Sequence, residues 1–453
     1  MACEWPTLSL RQAGVQLLDC EHRTPPAAKE GFPYIAIPQI KNGRIDLTEV
    51  RRISHEHFID WIRKTKPQSW DVVLSRRCNP GETAFVPPDL ACALGQNLVL
   101  LRSNGKKVYP QFLRWLLRSP AWWDQVRMFI NVGAVFESLK CADIPNFRLP
   151  IPPMVEQQAM ACILGALDDK IELNRRMNQT LEAMARAIFK SWFVDFDPVH
   201  ARCGGADLRV RPKDAQTHRS APPANTFEWP EHILDLFPDS FQESELGEIP
   251  KGWACVTLPE IVEVNPIRAL RKGEISPYLD MANMPTQGHI PDSWIDRPFG
   301  SGMRFINGDT LIARITPCLE NGKTAMVTFL QDGQVAWGST EFIVLRPKSP
   351  LPSAFGYLLA RSQPFRQFAI QRMSGSSGRQ RVPADSLAQY KLVRPSDDVA
   401  VAFAATVESL FGRADINAKK SHTLAALRDT LLPKLISGEL RVPHAERIVG
   451  RFV

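Results

Sequence analysis

Two heptad seams set 243 residues apart constrain this fold more than any other feature of the sequence. Seam residues recur alternately every three and four positions in each stretch, which is the pattern of a long coiled-coil helix. The first seam consists of Met160, Leu164, Leu167, Ile171, Asn174, Asn178, Leu181, Ala185, Ile188 and Trp192. The second consists of Phe403, Val407, Leu410, Ala414, Asn417, Ser421, Leu424, Arg428, Leu431 and Leu435. Polar residues lie in the middle of both seams.

Shorter matches upstream of each seam extend the similarity through most of the chain. "FRLPIPP" at 147–153 corresponds to "YKLVRPS" at 390–396, and "FLRWLLRSPAW" corresponds to "FGYLLARSQPF". Farther upstream, "LVLLR", "WDVVLSR" and "EWPTLSL" correspond in the same order to "FIVLR", "GDTLIAR" and "GWACVTL". These ordered matches indicate a tandem duplication.

The duplication predicts an α+β fold with two tandem mixed α/β modules, each followed by a long helix. Runs such as "FINGDTLIARITPCLENGKTAMVTF" have apolar segments bounded by Gly, Pro and Asn, which is typical of strands and hairpins. The halves would be related by a pseudo-twofold internal repeat. The predicted order is a first module at 1–152, a central helix at 153–198, a connector at 199–246, a second module at 247–395, a distal helix at 396–440 and a tail at 441–453.

Helices of this length are rarely stable alone, so we expect the two to pack against each other as an antiparallel coiled coil. A buried Asn lowers stability but fixes the register when another polar group faces it. The predicted register residues are Asn174, Asn178, Asn417 and Ser421. The alternative is an ordinary helix-bundle core in which these residues have no such role. A stiff helix pair of fixed length would act as a ruler between the two modules.

The sequence lacks the motifs of catalysis and metal binding. "PCLENGKT" has Pro317 where a phosphate-binding loop needs its first glycine, and no Pro-Pro pair precedes an aromatic residue as in amino-methyltransferases. His55 and His57 have no third ligand nearby, and a solvated helix end explains them better. Asp168 and Asp169 fit an exposed charged helix face. We therefore predict no catalytic and no metal-binding residue.

Composition and charge narrow the class of protein. A length of 453 residues favours two or three domains, and a net charge of +7 permits a polyanionic partner. Nine scattered cysteines indicate reduced thiols. No apolar run is long enough to cross a bilayer, and the first residues lack the pattern of a secretory signal. We therefore expect a cytoplasmic protein.

Polar loops at matching places in both modules have side chains that suit DNA recognition. Cations displace counterions from phosphates, whereas Arg, Asn and Gln suit base edges. The flexible stretch "SGSSGRQRVP" ends in a basic cluster, while its counterpart "INVGAVFESLK" is much less basic, as expected of two readers of different sequences. For each residue the alternative is a solvated surface charge. The predicted DNA-binding residues are Arg76, Arg77, Asn79, Arg314, Thr316, Asn321, Lys323, Arg379, Gln380 and Arg381.

Three segments resemble the DNA-specificity subunit of type I restriction–modification enzymes. The stretch "LPIPPMVEQQAMACILGALDDKIELNRRMNQTLEAMARAIFKSWFVDFDP" resembles the central conserved region of that family. "FPDSFQESELGEIPKGW" and "LLPKLISGELRV" are similar to its other conserved segments. The chain departs from a neat repeat at Arg428, which replaces an apolar seam residue, and at Pro433, which would kink or end the distal helix.

The resemblance implies a non-catalytic subunit with two target-recognition domains, each reading one half of a bipartite, asymmetric DNA site. It also implies two modification subunits that methylate adenine with S-adenosylmethionine and dock on the conserved helices. Motor–nuclease subunits that use ATP and Mg²⁺ would complete the restriction complex, so this chain itself would bind no cofactor. The open alternatives are a self-contained DNA methyltransferase or nuclease, and a structural coiled-coil scaffold without DNA specificity.

Overall fold

The computed structural model describes residues 5–48, 50–132, 137–203, 229–291, 293–376 and 378–450. They form a mixed helix and sheet structure with two helices of 40 residues, Met154–Phe193 and Asp397–Ile436. We call these the central helix and the distal helix. Residues 204–228 of the predicted connector lie outside the described residues.

The first half of the chain has short strands and short helices in alternation, followed by the central helix. Its strands are β1 (Thr7–Ser9), β2 (Val15–Asp19), β3 (Phe32–Ile35), β4 (Ile40–Lys41), β5 (Arg44–Ile45), β6 (Arg52–Ile53), β7 (Val72–Ser75), β8 (Thr83–Phe85), β9 (Ala93–Leu94), β10 (Leu98–Ser103), β11 (Asn131–Val132), β12 (Glu137–Ser138) and β13 (Arg148–Pro150). Its helices are α1 (His55–Trp61), α2 (Pro110–Leu116), α3 (Pro120–Phe129), the central helix α4 and α5 (Asp197–Cys203).

The second half has a similar order, and its distal helix is followed by one short helix. Its strands are β14 (Phe241–Ser244), β15 (Gly247–Pro250), β16 (Ala254–Thr257), β17 (Val262–Val264), β18 (Ile275–Leu279), β19 (Ile295–Pro298), β20 (Met303–Phe305), β21 (Thr310–Ala313), β22 (Thr324–Met326), β23 (Ala336–Gly338), β24 (Phe342–Pro347) and β25 (Lys391–Arg394). Its helices are α6 (Glu231–Leu234), α7 (Leu258–Ile261), α8 (Ser353–Arg361), α9 (Gln363–Gln371), α10 (Ala384–Leu387), the distal helix α11 and α12 (Val442–Val449).

The sheets of the two modules have equivalent topology. A four-stranded sheet has the order β2-β10-β7-β8 in the first half and β17-β24-β21-β22 in the second. The pair β1–β13 corresponds to β16–β25, and both pairs are antiparallel. The parallel pair β3–β9 corresponds to β18–β23. The sequence repeat is therefore a repeat of structure.

The inner strands β10 and β24 of the four-stranded sheets are apolar on both faces, because each face packs against a different core. In β10, Val99 and Leu101 belong to the core that contains α2 and the long helices, whereas Leu98 and Leu100 belong to a smaller core under β3 and β9. The corresponding strand β24 divides its residues between two cores in the same way. Burial on both faces explains the uninterrupted runs "LVLL" and "FIVL" where a half-exposed strand would alternate.

The chain divides into two compact units, and each contains one module with part of both long helices. Unit 1 comprises residues 1–173 and 421–453, and unit 2 comprises residues 174–420. In unit 1, Leu164 and Leu167 of the central helix share a buried core with Leu431 and Leu435 of the distal helix. An antiparallel pair is expected to have such contacts, between early residues of one helix and late residues of the other.

The long helices are antiparallel in unit 2 as well, where they share an asparagine contact. Trp192 lies against Phe403, with ring centroids 5.8 Å apart, whereas the earlier Asn178 contacts the later Asn417. The Asn417 amide donates to Asn178 Oδ1 at 3.0 Å, and Asn178 Nδ2 donates to the Ala414 carbonyl at 2.9 Å. Asn174 and Asn417 are both buried. The role of these residues in setting the register stays a prediction.

Asp168 is buried, so its assignment to an exposed helix face was wrong. Arg428 Nη1 donates to Asp168 Oδ1 at 2.6 Å, and the Nη2 of Arg44 and the Nη1 of Arg114 lie 3.6 and 3.8 Å from Oδ2. The side chain of neighbouring Asp169 is 80% exposed, as expected of both acids. Arg428 interrupts the apolar seam because it neutralises a carboxylate inside unit 1.

Pro433 lies inside the distal helix, which continues past it and ends at Ile436. Proline removes one N–H donor from the last turn without ending the helix there. The predicted segments 153–198 and 396–440 thus contain the helices Met154–Phe193 and Asp397–Ile436.

Candidate nucleic-acid interface

Glu341 joins two of the predicted DNA-binding arginines in the second module. Arg381 Nε donates to both Glu341 oxygens at 2.8 and 2.9 Å, and Arg314 Nε donates to Oε2 at 3.1 Å. The hydrogen bonds from Arg381, together with those from Arg314 and against partial burial, lower the pKa of Glu341. The carboxylate therefore stays charged at neutral pH and orients both guanidinium groups.

Backbone hydrogen bonds bring the Gly–Ser loop next to the end of β21. Ser374 and Arg381 exchange two backbone hydrogen bonds of 2.9 Å, which close the loop. Thr316 N donates to the Gln380 carbonyl at 3.0 Å, and Val382 N donates to the Arg314 carbonyl at 2.9 Å. Four predicted residues thus meet at one edge, although their segments are more than sixty positions apart in the sequence: Arg314, Thr316, Gln380 and Arg381.

The availability of these side chains to a ligand differs. Arg379 and Asn321 are exposed, whereas the hydroxyl of Thr316 is buried. Lys323 Nζ donates to the Met281 carbonyl at 2.6 Å, so part of its donor capacity is used inside the protein. Arg379 therefore presents the least constrained cation of this group.

The first module repeats the arrangement. Arg76, Arg77 and Asn79 follow β7 as Arg314 follows β21, and Arg77 forms a backbone bridge with Ser138. Leu139 N donates to the Arg76 carbonyl at 2.9 Å, which matches the bond from Val382 to Arg314. Arg77 and Asn79 are exposed, and Arg76 is half-buried. Residues 133–136 of the loop "INVGAVFESLK" lie outside the described residues.

Sequence reasoning missed Glu341 and the arginines that hold the turn between β21 and β22. Arg366 Nη2 donates to the Glu320 carbonyl at 2.9 Å, and Arg361 Nη1 donates to the Gly322 carbonyl at 3.0 Å. These contacts join α8 and α9 to a distant turn, so local spacing contains no signal for them. The repeat contained one signal, because "WLLRS" and "LLARS" place an arginine at equivalent positions, Arg118 and Arg361.

The structure also places the histidine that the sequence raised as a possible metal ligand. His57 Nδ1 lies 2.8 Å from the Ser54 hydroxyl at the start of α1. Among the described residues, no three His, Cys, Asp or Glu side chains are grouped as a metal site would require. No helix within the described ranges has both the length and the apolar character needed to cross a membrane.

Residues 22–183 match the family described as the Type I restriction modification DNA specificity domain. Over 403 residues, the chain is 26% identical to the type I restriction enzyme HindI specificity subunit of Haemophilus influenzae, covering 82% of this chain and 86% of that protein. The chain is thus similar in sequence to type I specificity subunits over most of its length. Another such subunit, MjaIX of Methanocaldococcus jannaschii, is 24% identical over 388 residues, which are 82% of this chain and 78% of that one.

The fold is similar to that of one solved S subunit. The crystal structure of the type I restriction-modification system S subunit from M. genitalium matches 95% of this chain and 96% of its own, with a TM-score of 0.50 at 15% identity. The duplicated modules and the two long helices therefore form an architecture that this chain shares with that solved structure.

Proposed function

We propose that this chain is the non-catalytic subunit that selects the DNA sequence for a type I restriction–modification complex. Each module reads one half of a bipartite site in double-stranded DNA through the loops after β7 and β21. The observation that supports this most is the repeat of one basic loop arrangement in two modules with different side chains, Arg77 and Asn79 in one and Arg314 and Arg381 in the other. Related proteins named as specificity subunits support it independently.

Partner subunits would carry out both adenine methylation and DNA cleavage. Two modification subunits with S-adenosylmethionine methylate adenine in each half-site, and motor–nuclease subunits with ATP and Mg²⁺ cut DNA. This chain would direct both reactions by positioning its partners on a chosen sequence in the cytoplasm. It would bind none of these cofactors.

Mapping methylated adenines in the host genome with and without the gene tests this function. Loss of one bipartite methylated motif, restored by the intact gene, is the expected result. The purified chain incubated alone with labelled S-adenosylmethionine and DNA provides the second arm. Methyl transfer without another polypeptide would instead favour a self-contained enzyme, and an unchanged methylation map would favour a structural scaffold.

Replacing Arg379 with Ala is expected to weaken recognition of the second half-site alone, by about 1–3 kcal/mol if the side chain makes a bidentate base contact. Its exposed side chain has the freedom to reach a base edge. Arg381→Ala is expected to have a larger effect at the same half-site, because it also leaves Glu341 less well neutralised near phosphates. Competition between duplexes altered in one half-site measures both changes.

The reciprocal control is Arg77→Ala, which we expect to weaken only the first half-site. Equal losses at both half-sites for Arg379→Ala would mean that this residue makes a general phosphate contact. The logarithm of the binding constant, plotted against the logarithm of the salt concentration, would then have a slope smaller in magnitude by about one unit.

A further inference from the structure

Helices α2 and α8 place a polar residue at the same repeat position, and in both modules that residue reaches an acid on the central helix. Arg114 of α2 corresponds to Tyr357 of α8 in the aligned segments "FLRWLLRSPAW" and "FGYLLARSQPF". Arg114 pairs with Asp168 within unit 1. The Tyr357 hydroxyl donates to Glu182 Oε1 at 2.8 Å within unit 2. The two modules thus make the same connection with different chemistry.

One turn along α8, Arg361 binds the backbone of two separate segments of unit 2. Its Nη2 donates to the Gly288 carbonyl at 2.8 Å and to the Thr324 carbonyl at 3.3 Å. Its Nη1 donates to the carbonyls of Thr286 and Gly322, the latter at 3.0 Å. A single guanidinium therefore binds the segment 285–289 and the C-terminal side of the turn 317–323. We call this turn the reading turn because it contains Asn321 and Lys323.

Tyr357 connects Arg361 to the central helix. Arg361 Nε donates to the Tyr357 oxygen at 3.1 Å, which leaves the single hydroxyl proton for an acceptor. Glu182 and the Gly288 carbonyl are both within 2.9 Å of that oxygen, and the charged carboxylate is the stronger acceptor. Glu182 also accepts from Arg186 at 2.9 Å, so its buried charge is balanced.

The distal helix holds the same segment from its other end. His289 Nε2 lies 3.0 Å from Asp415 Oδ1, and the Thr328 hydroxyl donates to the same oxygen at 3.1 Å. Within unit 2, acidic side chains of both long helices thus form hydrogen bonds with side chains next to the reading turn, namely Tyr357, His289 and Thr328. A displacement of either helix would be transmitted to the turn through buried, directional contacts.

We propose that Arg361 and Tyr357 are positioning residues that fix the reading turn against Glu182 of the central helix, and that recognition of the second half-site depends on this relay. The inference rests on the proposed function. Neither residue contacts DNA in this scheme, since Tyr357 is fully buried and Arg361 donates to the Tyr357 oxygen and to backbone carbonyls. The relay preorganises the turn, so binding does not have to order it.

Tyr357→Phe tests the relay without removing the ring, which packs edge-on against Phe411. The substitution removes the donor to Glu182 and the acceptor for Arg361, while burial of the aromatic ring is retained. We expect faster amide exchange in residues 286–288 and 317–324 by mass spectrometry of the full chain. We also expect a loss of about tenfold in discrimination at the second half-site in the assembled complex, with the first half-site unchanged. Arg361→Lys keeps the charge but loses the planar guanidinium that binds several carbonyls at once. We expect it to lose more discrimination at the second half-site than Tyr357→Phe does.

Tyr390→Phe is the matched control, because Tyr390 packs on Phe365 in the same unit and has no hydrogen bond to the reading turn among the described contacts. Arg114→Lys is the reciprocal variant and is expected to alter only the first half-site. Equal losses at both half-sites in Tyr357→Phe, or exchange indistinguishable from that of Tyr390→Phe, would overturn the relay. A wild-type complex without half-site preference would refute the proposed function, while the exchange measurements would still decide on the relay.

Discussion

Asp168→Asn is expected to destabilise unit 1 by about 3–5 kcal/mol, the largest stability effect that we predict for a single polar substitution. The side chains of Asp168, Arg114 and Arg428 are only 3%, 8% and 11% exposed. Removing the carboxylate therefore leaves the buried Arg114 without its counterion and leaves Arg428 with Asp429 alone. Burial already lowers the pKa of Arg114 to about 10, with Asp168 opposing the shift. Burial also lowers the pKa of Arg428, but its interactions with Asp429 and Asp168 outweigh burial and raise that pKa.

Urea denaturation followed by amide exchange measures the effect and locates it. We expect lost protection in α2, in the start of the central helix and in the end of the distal helix, while unit 2 keeps its protection. Asp169→Asn is the matched control, because the same chemical change at an 80% exposed side chain is expected to cost less than about 1 kcal/mol. Adding Arg428→Met to Asp168→Asn should recover part of the loss, because it removes one of the buried positive charges that Asp168 balances in the wild type. Equal destabilisation by the two Asn variants would contradict a buried charge cluster.

The order of modules and long helices was predictable, because it follows from the periodicity of apolar residues and from the internal repeat. The seam from Met160 to Trp192 follows from helix geometry alone, and the helix Met154–Phe193 contains all of it. The repeat then predicted one module twice, as the matching orders of the four-stranded sheets confirm. Both signals survive sequence divergence, since they depend on apolar spacing rather than on particular side chains.

Pairings between distant segments were not predictable in the same way. Asp168 looked like a surface acid because its neighbour Asp169 is one, and burial of only the first depends on arginines from three other elements. Glu341 has no motif of its own, yet it determines how Arg314 and Arg381 are presented. Such contacts depend on which loops the sheet brings together. The residues next to Asp168 or Glu341 in the sequence do not indicate these distant partners.

The predicted DNA-binding residues are placed by the fold but not tested by it. Arg314 and Arg381 share one carboxylate, Lys323 is tied to the Met281 carbonyl, and Arg379 stays exposed. Ion pairs within the protein reduce the net charge available to phosphates, so a count of cations in the loops overstates their affinity for DNA. Guanidinium and amide groups that are not used in contacts within the protein are better candidates for base contacts than groups that are.

A heptad inserted into both long helices is expected to lengthen the preferred spacer between the half-sites while leaving both half-sites unchanged. The boundary between the two compact units falls after Leu173 and after Lys420, so insertions there lie between the units and not within either one. Seven residues add about 10.5 Å of helix and change the facing of the seam by only about 20°. At 3.4 Å for each base pair, this corresponds to about three additional base pairs.

A library of duplexes with spacers from the native length to five pairs longer measures the shift as methylation of each member by the assembled complex. Three base pairs also turn the second half-site by about 100° around the DNA axis, so twisting of the DNA is expected to reduce the rate and to broaden the optimum. Insertion into the central helix alone is the control, and it should abolish activity on every spacer because the seams no longer match. An unchanged optimum would show that the helix pair does not set the spacing, and altered bases in both half-sites would show that the modules do not read DNA independently.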